Sequence, residues 1–236
     1  VPDYGTSEVA DHAIALMLSL VRGTIFYNDA VRADPVANWR QPAAKLVRRL
    51  RGQVFGVLGL GRIGLAAALR ARGFGMEIAF FDPYLPSGME IAIGAKRFQS
   101  LDELMAASDI LSIHAPSTDE TRGLVGRRAL EAARPGLVLV NTARGLIVDL
   151  DALFDAMKSG HVAGAGLDVL PVEPADANHP LVSAWLKREA WIEGRLAISP
   201  HAAYFSPSAV ADMRNLGVAP ADRPGRGRLT GRWRRW

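Results

Sequence analysis

Residues 54–64 read Val-Phe-Gly-Val-Leu-Gly-Leu-Gly-Arg-Ile-Gly, and the fold can be inferred from this segment. Its first half is a short apolar run typical of a buried strand, and an Ala- and Leu-rich helical pattern follows it. The turn between them has the spacing Gly-x-Gly-x-x-Gly. Gly59 allows a tight turn, Gly61 lets the backbone approach a pyrophosphate, and Gly64 lets helix and strand pack closely. The sequence therefore predicts a nucleotide-binding turn.

The residues after this turn indicate which nucleotide it binds. At the N-terminus of the predicted helix, the amides of Arg62 and Ile63 face the ligand, where the helix dipole favours negative charge. A second apolar strand ends at Asp82, 18 residues after Gly64, near the spacing at which a carboxylate meets the ribose hydroxyls. No arginine adjoins Asp82 to neutralise a 2′-phosphate, so the sequence favours NAD over NADP. The alternative is a glycine-rich turn that binds no nucleotide.

Short apolar runs alternate with helical patterns along most of the chain. Because the strands read as near-continuous apolar runs, they are expected to be buried on both faces of a parallel sheet. The sequence thus predicts an α/β fold, a Rossmann-like doubly wound parallel sheet whose strand ends carry the ligand. Near the start a helix is expected, with Thr6 or Ser7 as its cap. The predicted strands are 54–58, 78–81, 110–114, 137–141, 163–168 and 196–199, and the predicted helices are 64–72, 101–107, 127–133 and 149–159.

The composition is that of a globular protein. Hydrophobic residues make up 49% and charged residues 22% of the 236, which excludes disorder throughout because so much apolar surface can bury a core. The longest apolar stretch, residues 13–21, falls short of the roughly 20 residues that a membrane-spanning helix needs. The absence of cysteine excludes disulfides and thiolate metal sites and fits a reducing cytoplasm. The histidines are scattered, so no metal site is expected.

The net charge of +4 comes from one end of the chain. Residues 216–236 hold six arginines and one aspartate, so the rest of the chain is nearly neutral. This segment loses the aliphatic periodicity and fills with Gly, Pro and Arg, which predicts a disordered tail. Nucleic-acid binding by the tail is the alternative, and disorder is the favoured interpretation.

Three motifs that follow predicted strands supply the groups that reduction of a 2-keto acid needs. Arg144 can hold a carboxylate bidentately, and His201 can deliver the proton that the nascent alkoxide requires. Glu173 can orient the histidine and favour its charged form. Each also has a purely structural interpretation, as a surface arginine, a strand-end histidine or a loop glutamate. The motifs read Asn-Thr-Ala-Arg-Gly at 141–145, Asp-Val-Leu-Pro-Val-Glu-Pro at 168–174 and Ser-Pro-His-Ala-Ala-Tyr at 199–204.

In motif content and order, residues 1–215 resemble the D-isomer-specific 2-hydroxyacid dehydrogenases. Within that family the chain is similar to the branch that includes the C-terminal-binding-protein corepressors and their bacterial relatives. The motifs that carry the resemblance are VPDYGTSEVAD, RRLRGQVFGVLGLGRIG, FFDPYLPSGME, SLDELMAASDILSIHAPSTDETRGLV, VNTARGLIVD, GAGLDVLPVEP and SPHAAYFS.

The resemblance implies roles for the residues of the three motifs. Arg144 would bind the substrate carboxylate and help to polarise the 2-carbonyl. His201 would be the acid in reduction and the base in oxidation, with Glu173 as its partner. Asp168 would face the nicotinamide carboxamide. Tyr204 stands where the corepressors carry tryptophan, so the pocket for the substrate side chain is expected to differ.

The resemblance also implies NAD as the cofactor and a set of residues along it. For His114, a structural role at a strand end is the alternative. The substrate-binding residues would be Arg144, His201 and Tyr204. The full set expected at the cofactor is Gly59, Gly61, Arg62, Ile63, Gly64, Asp82, His114, Ala115, Pro116, Thr121, Thr142, Ala143, Arg144, Asp168 and His201.

Family members have two domains, which implies an organisation for this chain. Residues 1–23 would be a linking helix of an incomplete substrate domain, and 24–199 the NAD-binding domain, with a homodimerisation arm at 24–50. Residues 200–215 would return toward the substrate domain, and 216–236 form the tail. Because the first part of the substrate domain is expected to be missing, NAD binding should exceed turnover. The alternatives are an NAD(H)-sensing, corepressor-like interaction protein and an inert fragment.

Overall fold

The computed structural model describes residues 4–41 and 44–217, and a parallel β-sheet lies at its centre. Within that part of the chain seven strands lie in the order β3-β2-β1-β4-β5-β6-β7, all paired in parallel. The strand order reverses beside β1, where a doubly wound sheet opens its ligand crevice. The predicted fold class is confirmed. The strands are β1 (Val54–Leu58), β2 (Glu77–Phe81), β3 (Lys96–Arg97), β4 (Ile110–Ile113), β5 (Leu137–Asn141), β6 (Val162–Leu167) and β7 (Leu196–Ile198).

Helices cover both faces of this sheet. On one face α1 and α3 pack against side chains that include Phe55 and Val138. On the other face α5, α6 and α7 pack against Leu111 and Leu139. Neighbouring residues of β5 thus enter opposite cores, as the continuous apolar runs predict. The helices are α1 (Thr6–Val21), α2 (Thr24–Ala33), α3 (Arg62–Gly73), α4 (Met89–Ile93), α5 (Leu101–Ala107), α6 (Arg127–Ala132), α7 (Leu150–Lys158), α8 (Pro180–Leu186) and α9 (Pro207–Gly217), with a 3₁₀ turn at Gly145–Ile147.

Side-chain caps fix the starts of three of these helices, and at α8 the cap is His179, whose Nδ1 accepts from the amide of Leu181. The other two caps lie at α5 and α7. Ser100 Oγ accepts a hydrogen bond from the amide of Glu103 at the start of α5, and Asp149 does the same for Ala152 at the start of α7. Each cap satisfies an amide that would otherwise have no partner within the helix. Helices α5 and α7 pack on the sheet that supports the strand-end loops.

The expected cap of α1 is wrong. The N-cap residue is Gly5, and neither Thr6 nor Ser7 precedes the helix, which begins at Thr6 without a side-chain cap. A Cβ at Gly5 would lie 3.4 Å from the Cβ of Tyr204, so the chain turns where it passes that side chain. The start of this helix thus lies beside a distant residue and carries no side-chain cap.

The other predicted bounds agree with the structure to within two residues. His114, Asp168 and Ser199, predicted as the last residues of their strands, each lie one residue beyond the strand. The sequence analysis does not predict α4, α8 or the two-residue strand β3. Helix α4 has five residues, none of them fully buried, which is too short for a helical period to show in the sequence.

The ends of the described region bear on two further expectations. Helix α9 continues to Gly217 and so includes the first two residues of the predicted tail. The rest of that tail, with residues 1–3 of the predicted linking segment and 42–43 of the predicted arm, lies outside the described residues. In residues 4–41 and 44–217 no single helix is long and apolar enough to cross a membrane; α1 and α2, bent by 55°, meet the length and composition only as a pair.

Candidate active site

The loops at the carboxyl ends of the strands surround a cavity of about 650 Å³. Its walls come from the segment entering α1, the glycine turn and the loops after β4, β5, β6 and β7, which is where an open α/β sheet places its ligand. Five residues predicted for the site lie outside the lining: Gly59, Gly64, Asp82, Thr121 and Glu173. The predicted residues that line the cavity are Gly61, Arg62, Ile63, His114, Ala115, Pro116, Thr142, Ala143, Arg144, Asp168, His201 and Tyr204.

The glycine turn has the shape that a pyrophosphate needs. Gly59 has φ +87°, and a Cβ there would lie 2.8 Å from the backbone of Ala115. A Cβ at Gly64 would collide with the carbonyl oxygen of Gly59, whereas a Cβ at Gly61 would meet no atom within 4 Å. The first and third glycines are therefore required by the protein itself, and the second keeps the cavity side open for a ligand. Gly61 caps α3 without a side chain, and the N-terminus of a helix favours an anion through its backbone amides and its dipole.

Asp82 is fixed beside this turn. Its Oδ2 accepts a hydrogen bond from the amide of Leu60 at 2.9 Å, and its Oδ1 accepts one from the amide of Tyr84 at 3.0 Å. A carboxylate has about four lone-pair positions, so both oxygens keep capacity for ribose hydroxyls. The hydroxyl of Tyr84 hydrogen-bonds to Glu120, and this contact raises the pKa of Tyr84 above its ordinary value. Two acids therefore flank the outer end of the site.

Thr121 braces the loop after β4 instead of lining the cavity. Its hydroxyl donates to the carbonyl of Pro116 at 2.6 Å and accepts from the amide of Thr118 at 2.8 Å. These bonds close the loop on itself. The loop then presents Ala115 and Pro116 to the cavity.

Two buried polar atoms stand at adjacent strand ends. His114 follows β4 and Thr142 follows β5, and the residues before them, Ile113 and Asn141, are paired in the sheet. Among the described residues, Nδ1 of His114 and Oγ1 of Thr142 have no hydrogen-bond partner. Unsatisfied buried polar atoms in a cavity wall call for a ligand, and together with the open side at Gly61 they fit a dinucleotide. Burial lowers the pKa of His114 to about 4, so its ring is neutral at pH 7.

Arg144 is held at the cavity wall by its own loop. Asn141 Nδ2 donates to the carbonyl of Arg144 at 3.0 Å, and Asn141 Oδ1 accepts from the amide of Ala143 at 3.0 Å. The next residue must be glycine, because a Cβ at Gly145 would collide with the carbonyl group of Leu170. The side chain of Arg144 is exposed and lines the cavity. Its Nη1 donates to the carbonyl of Ala143 at 2.6 Å, and the edge formed by Nε and Nη2 is the guanidinium fork whose geometry matches a carboxylate.

His201 and Glu173 form a pair at the rim. His201 Nδ1 lies 2.8 Å from Glu173 Oε2, while Glu173 Oε1 accepts from the amide of Leu170 at 3.0 Å. Because Nδ1 faces the carboxylate, Nε2 is the nitrogen left for proton exchange with a ligand. His201 has φ +53°, a left-handed conformation that is uncommon for residues other than glycine. The amide of His201 donates to the carbonyl of Asp168 at 2.8 Å, which helps to hold that conformation.

The carboxylate of Asp168 supports the loop that carries His201. Its side chain is buried, with Oδ1 accepting from Ser199 Oγ at 2.6 Å and from the amide of Ala202 at 2.9 Å. Oδ2 accepts from the amide of Ala203 at 2.9 Å. Three of about four acceptor positions are therefore used by the protein. The side chain of Asp168 is thus bonded mainly within the protein, and its contact with the nicotinamide carboxamide stays a prediction.

An aromatic wall closes the side of the cavity next to His201. The rings of Tyr204 and His201 are 6.3 Å apart and nearly perpendicular, and Tyr4 packs edge-on against Tyr204 at 6.2 Å. Thr6 and Val9 of α1 also line the cavity. Sequence reasoning missed these α1 residues. No local motif shows that the start of α1 packs against the loop that follows β7.

The sheet order and the glycine turn define a dinucleotide-binding domain. The family model described as the NAD-binding domain of the D-isomer-specific 2-hydroxyacid dehydrogenases matches residues 14–203. The chain therefore belongs to the D-isomer-specific 2-hydroxyacid dehydrogenase family, with NAD as the cofactor of the matched domain.

Related proteins and structures agree with this assignment. The chain is 34% identical over 218 residues to C-terminal-binding protein 1 of Caenorhabditis elegans, covering 90% of this chain and 28% of that protein. It is 39% identical over 187 residues to D-3-phosphoglycerate dehydrogenase of Bacillus subtilis, covering 78% of this chain and 35% of that protein. Aquifex aeolicus D-lactate dehydrogenase, solved with NAD and lactic acid, is 31% identical with a TM-score of 0.78, over 92% of this chain and 66% of that one. The chain thus spans about a third of the length of the two relatives from Caenorhabditis elegans and Bacillus subtilis.

Proposed function

We propose that this chain carries the cofactor and catalytic groups of an NAD-dependent oxidoreductase that interconverts a D-2-hydroxy acid and its 2-keto acid. The observation that supports this best is the 2.8 Å pair of His201 and Glu173, because His201 lines the same cavity as Arg144 and the glycine turn. A proton donor, a carboxylate-binding cation and a dinucleotide site are the three parts that the reaction requires.

In reduction, Arg144 binds the substrate carboxylate bidentately and polarises the 2-carbonyl. When bound, the reduced cofactor would supply the hydride that C2 accepts, and its oxidised form would accept that hydride in the reverse reaction. His201 gives its Nε2 proton to the carbonyl oxygen as that oxygen becomes a hydroxyl, and Glu173 keeps the ring oriented through Nδ1. In oxidation, His201 takes the hydroxyl proton back. Tyr204 packs beside His201 and would contact the substrate's side chain.

The cofactor contacts follow from the geometry of the turn. The amides of Arg62 and Ile63 would bind the pyrophosphate above Gly61, and Asp82 would bind the adenosine ribose hydroxyls. Asp82 and Glu120 would repel a 2′-phosphate, which favours NAD. The 24–50 arm would pair two copies, as the family resemblance implies, and Val36 and Trp39 of this arm are 88% and 79% exposed.

A titration and a substrate panel test the proposal. The chain is titrated with NADH and NADPH while tryptophan fluorescence is followed, and NADH oxidation is then measured with glyoxylate, hydroxypyruvate and branched 2-keto acids. We expect tighter binding of NADH than of NADPH, and turnover of at least one acid. NADH binding without turnover of any 2-keto acid would contradict the catalytic part. Binding of neither cofactor by the folded chain would contradict the whole proposal.

A further inference from the structure

One face of α1 bonds to the segment that carries His201. Glu8 and His12 are four residues apart and therefore share a face of the helix. Glu8 accepts a hydrogen bond from Ser206 Oγ at 2.8 Å, and His12 Nε2 lies 2.7 Å from Ser199 Oγ. The return segment, defined as residues 199–206, is thus tied to α1 on both sides of His201.

The direction of the His12 hydrogen bond follows from its neighbours. Ser199 Oγ lies 2.6 Å from Asp168 Oδ1, and this oxygen also accepts from the amide of Ala202. A carboxylate oxygen accepts and does not donate, so the Ser199 hydroxyl gives its only proton to Asp168. Ser199 Oγ must then accept from His12, whose Nε2 carries the hydrogen. His12 Nε2 is also 3.4 Å from Asp168 Oδ1, so its N–H is directed at the Ser199–Asp168 pair.

The other end of this series of bonds is the backbone around His201. Asp168 accepts from the amides of Ala202 and Ala203 and from the amide of His201 through its carbonyl. Backbone held in a sparsely populated region persists only where surrounding contacts fix it. The left-handed conformation of His201 therefore depends on Asp168, and the position of the Asp168 carboxylate depends on Ser199 and His12.

We propose that His12 is a positioning residue for His201, acting through Ser199 and Asp168. By donating from Nε2 it fixes the Ser199 hydroxyl on Asp168, so α1 is coupled to the conformation of the return segment. The inference rests on the proposed role of His201 in proton transfer. It assigns a catalytic consequence to a histidine that the sequence analysis does not place in the site.

The test compares variants that keep or remove the donor. His12→Gln can place an N–H close to the position of Nε2, whereas His12→Met has similar bulk and no donor. We expect His12→Met to lower kcat for 2-keto acid reduction about tenfold, the effect of one misplaced hydrogen bond, with KM and the Kd of NADH unchanged. His12→Gln should recover most of kcat. Asp11→Ala, which removes the exposed ion pair between α1 and Arg70, is the control and should leave kcat unchanged.

A double-mutant cycle tests the route through Ser199. Ser199→Ala should lower kcat as His12→Met does, and the double variant should be no slower than either one, because residues in one hydrogen-bond network are not additive. Three results would each overturn the proposal. They are losses of kcat that add in the double variant, a loss in His12→Gln equal to that in His12→Met, and an unchanged kcat in folded His12→Met.

Amide hydrogen exchange gives a readout without turnover. We expect the amides of Ala202 and Ala203 to exchange faster in His12→Met, while those of β5 keep their protection. Unchanged exchange at both alanines would overturn the positioning role. If the unmodified chain binds NADH but reduces no 2-keto acid, the proposed function fails, and the exchange measurement still decides whether His12 holds the return segment.

Discussion

The glycine turn and the catalytic loops face the same cavity but are built in different ways. The turn is set by backbone atoms, since Gly59 and Gly64 are required by close approach of the chain to itself. The catalytic side is set by side chains from distant segments, since His201 is paired with Glu173, 28 residues away, and supported by the buried Asp168. Cofactor binding therefore depends on the local backbone shape of the glycine turn, whereas proton transfer depends on a hydrogen-bond network between distant side chains. The two should therefore be separable by mutation.

The largest separation is expected from His201→Asn. Asparagine tolerates the left-handed conformation of this position but cannot exchange a proton as an imidazole does. Turnover of the 2-keto acid should fall about 10²- to 10⁴-fold, while the Kd of NADH, measured by fluorescence, stays close to that of the unmodified chain. His179→Asn, a change outside the cavity where asparagine can still cap α8, is the matched control. An equal loss of NADH affinity in His201→Asn would show that the two regions are not separable.

Substitutions of Gly61 and Gly64 are expected to act on the other region and to weaken NADH binding. Gly64→Ala places a methyl group against the carbonyl of Gly59 and should cost about 1–3 kcal/mol of stability through overpacking, with loss of NADH affinity. Gly61→Ala meets no protein atom within 4 Å, so it should keep the stability of the chain and weaken only NADH binding. Urea unfolding and fluorescence titration measure the two effects.

Gly73→Ala, in the last turn of α3 and also without a neighbour within 4 Å, is the control for the glycine pair. It should leave NADH binding unchanged. If Gly61→Ala bound NADH as tightly as this control does, the open side of the turn would not be where the pyrophosphate lies.

The same contrast explains what the sequence could predict. Strand, glycine turn and Asp82 lie within one βαβ unit, so their order and spacing predict the cofactor side from local patterns alone. Arg144, Glu173 and His201 were found from their motifs, because each follows a strand. Their bonding to one another comes from the fold.

The supporting roles of His12 and Asp168 could not be predicted from the sequence, for a physical reason. His12 lies 187 residues from its partner Ser199, and nothing in the helical pattern of α1 distinguishes it from a surface histidine. Asp168 was expected to face the nicotinamide, yet three of its bonds go to the return segment. Contacts between residues so far apart in the sequence depend on how α1 packs against the sheet. The hydrophobic periodicity of the sequence does not determine that packing.

A smaller effect on the cofactor side is expected from Asp82. Asp82→Asn removes a charge next to the outer end of the site and should shift the ratio of NADPH to NADH affinity about tenfold toward NADPH, since one charge at short range contributes on the order of 1 kcal/mol or more. Adding Glu120→Gln should shift the ratio further in the same direction. If the ratio of NADPH to NADH affinity were unchanged in both variants, the adenosine ribose would not lie beside Asp82.

The smallest effect concerns His114, which lies between the two regions. Burial lowers its pKa from 6.5 to about 4, so between those values the unfolded chain binds a proton that the folded chain does not. Stability therefore falls as the pH drops from 7 toward 4, and this residue accounts for about 1 kcal/mol of the loss by pH 5.5. His114→Gln keeps a polar side chain at the end of β4 without a titrating ring. Urea unfolding of the cofactor-free chain at pH 7 and pH 5.5 should show a smaller loss in the variant. Because all other titrating groups are shared, an equal loss in both proteins would mean that the His114 ring is charged as readily in the folded chain as in the unfolded one.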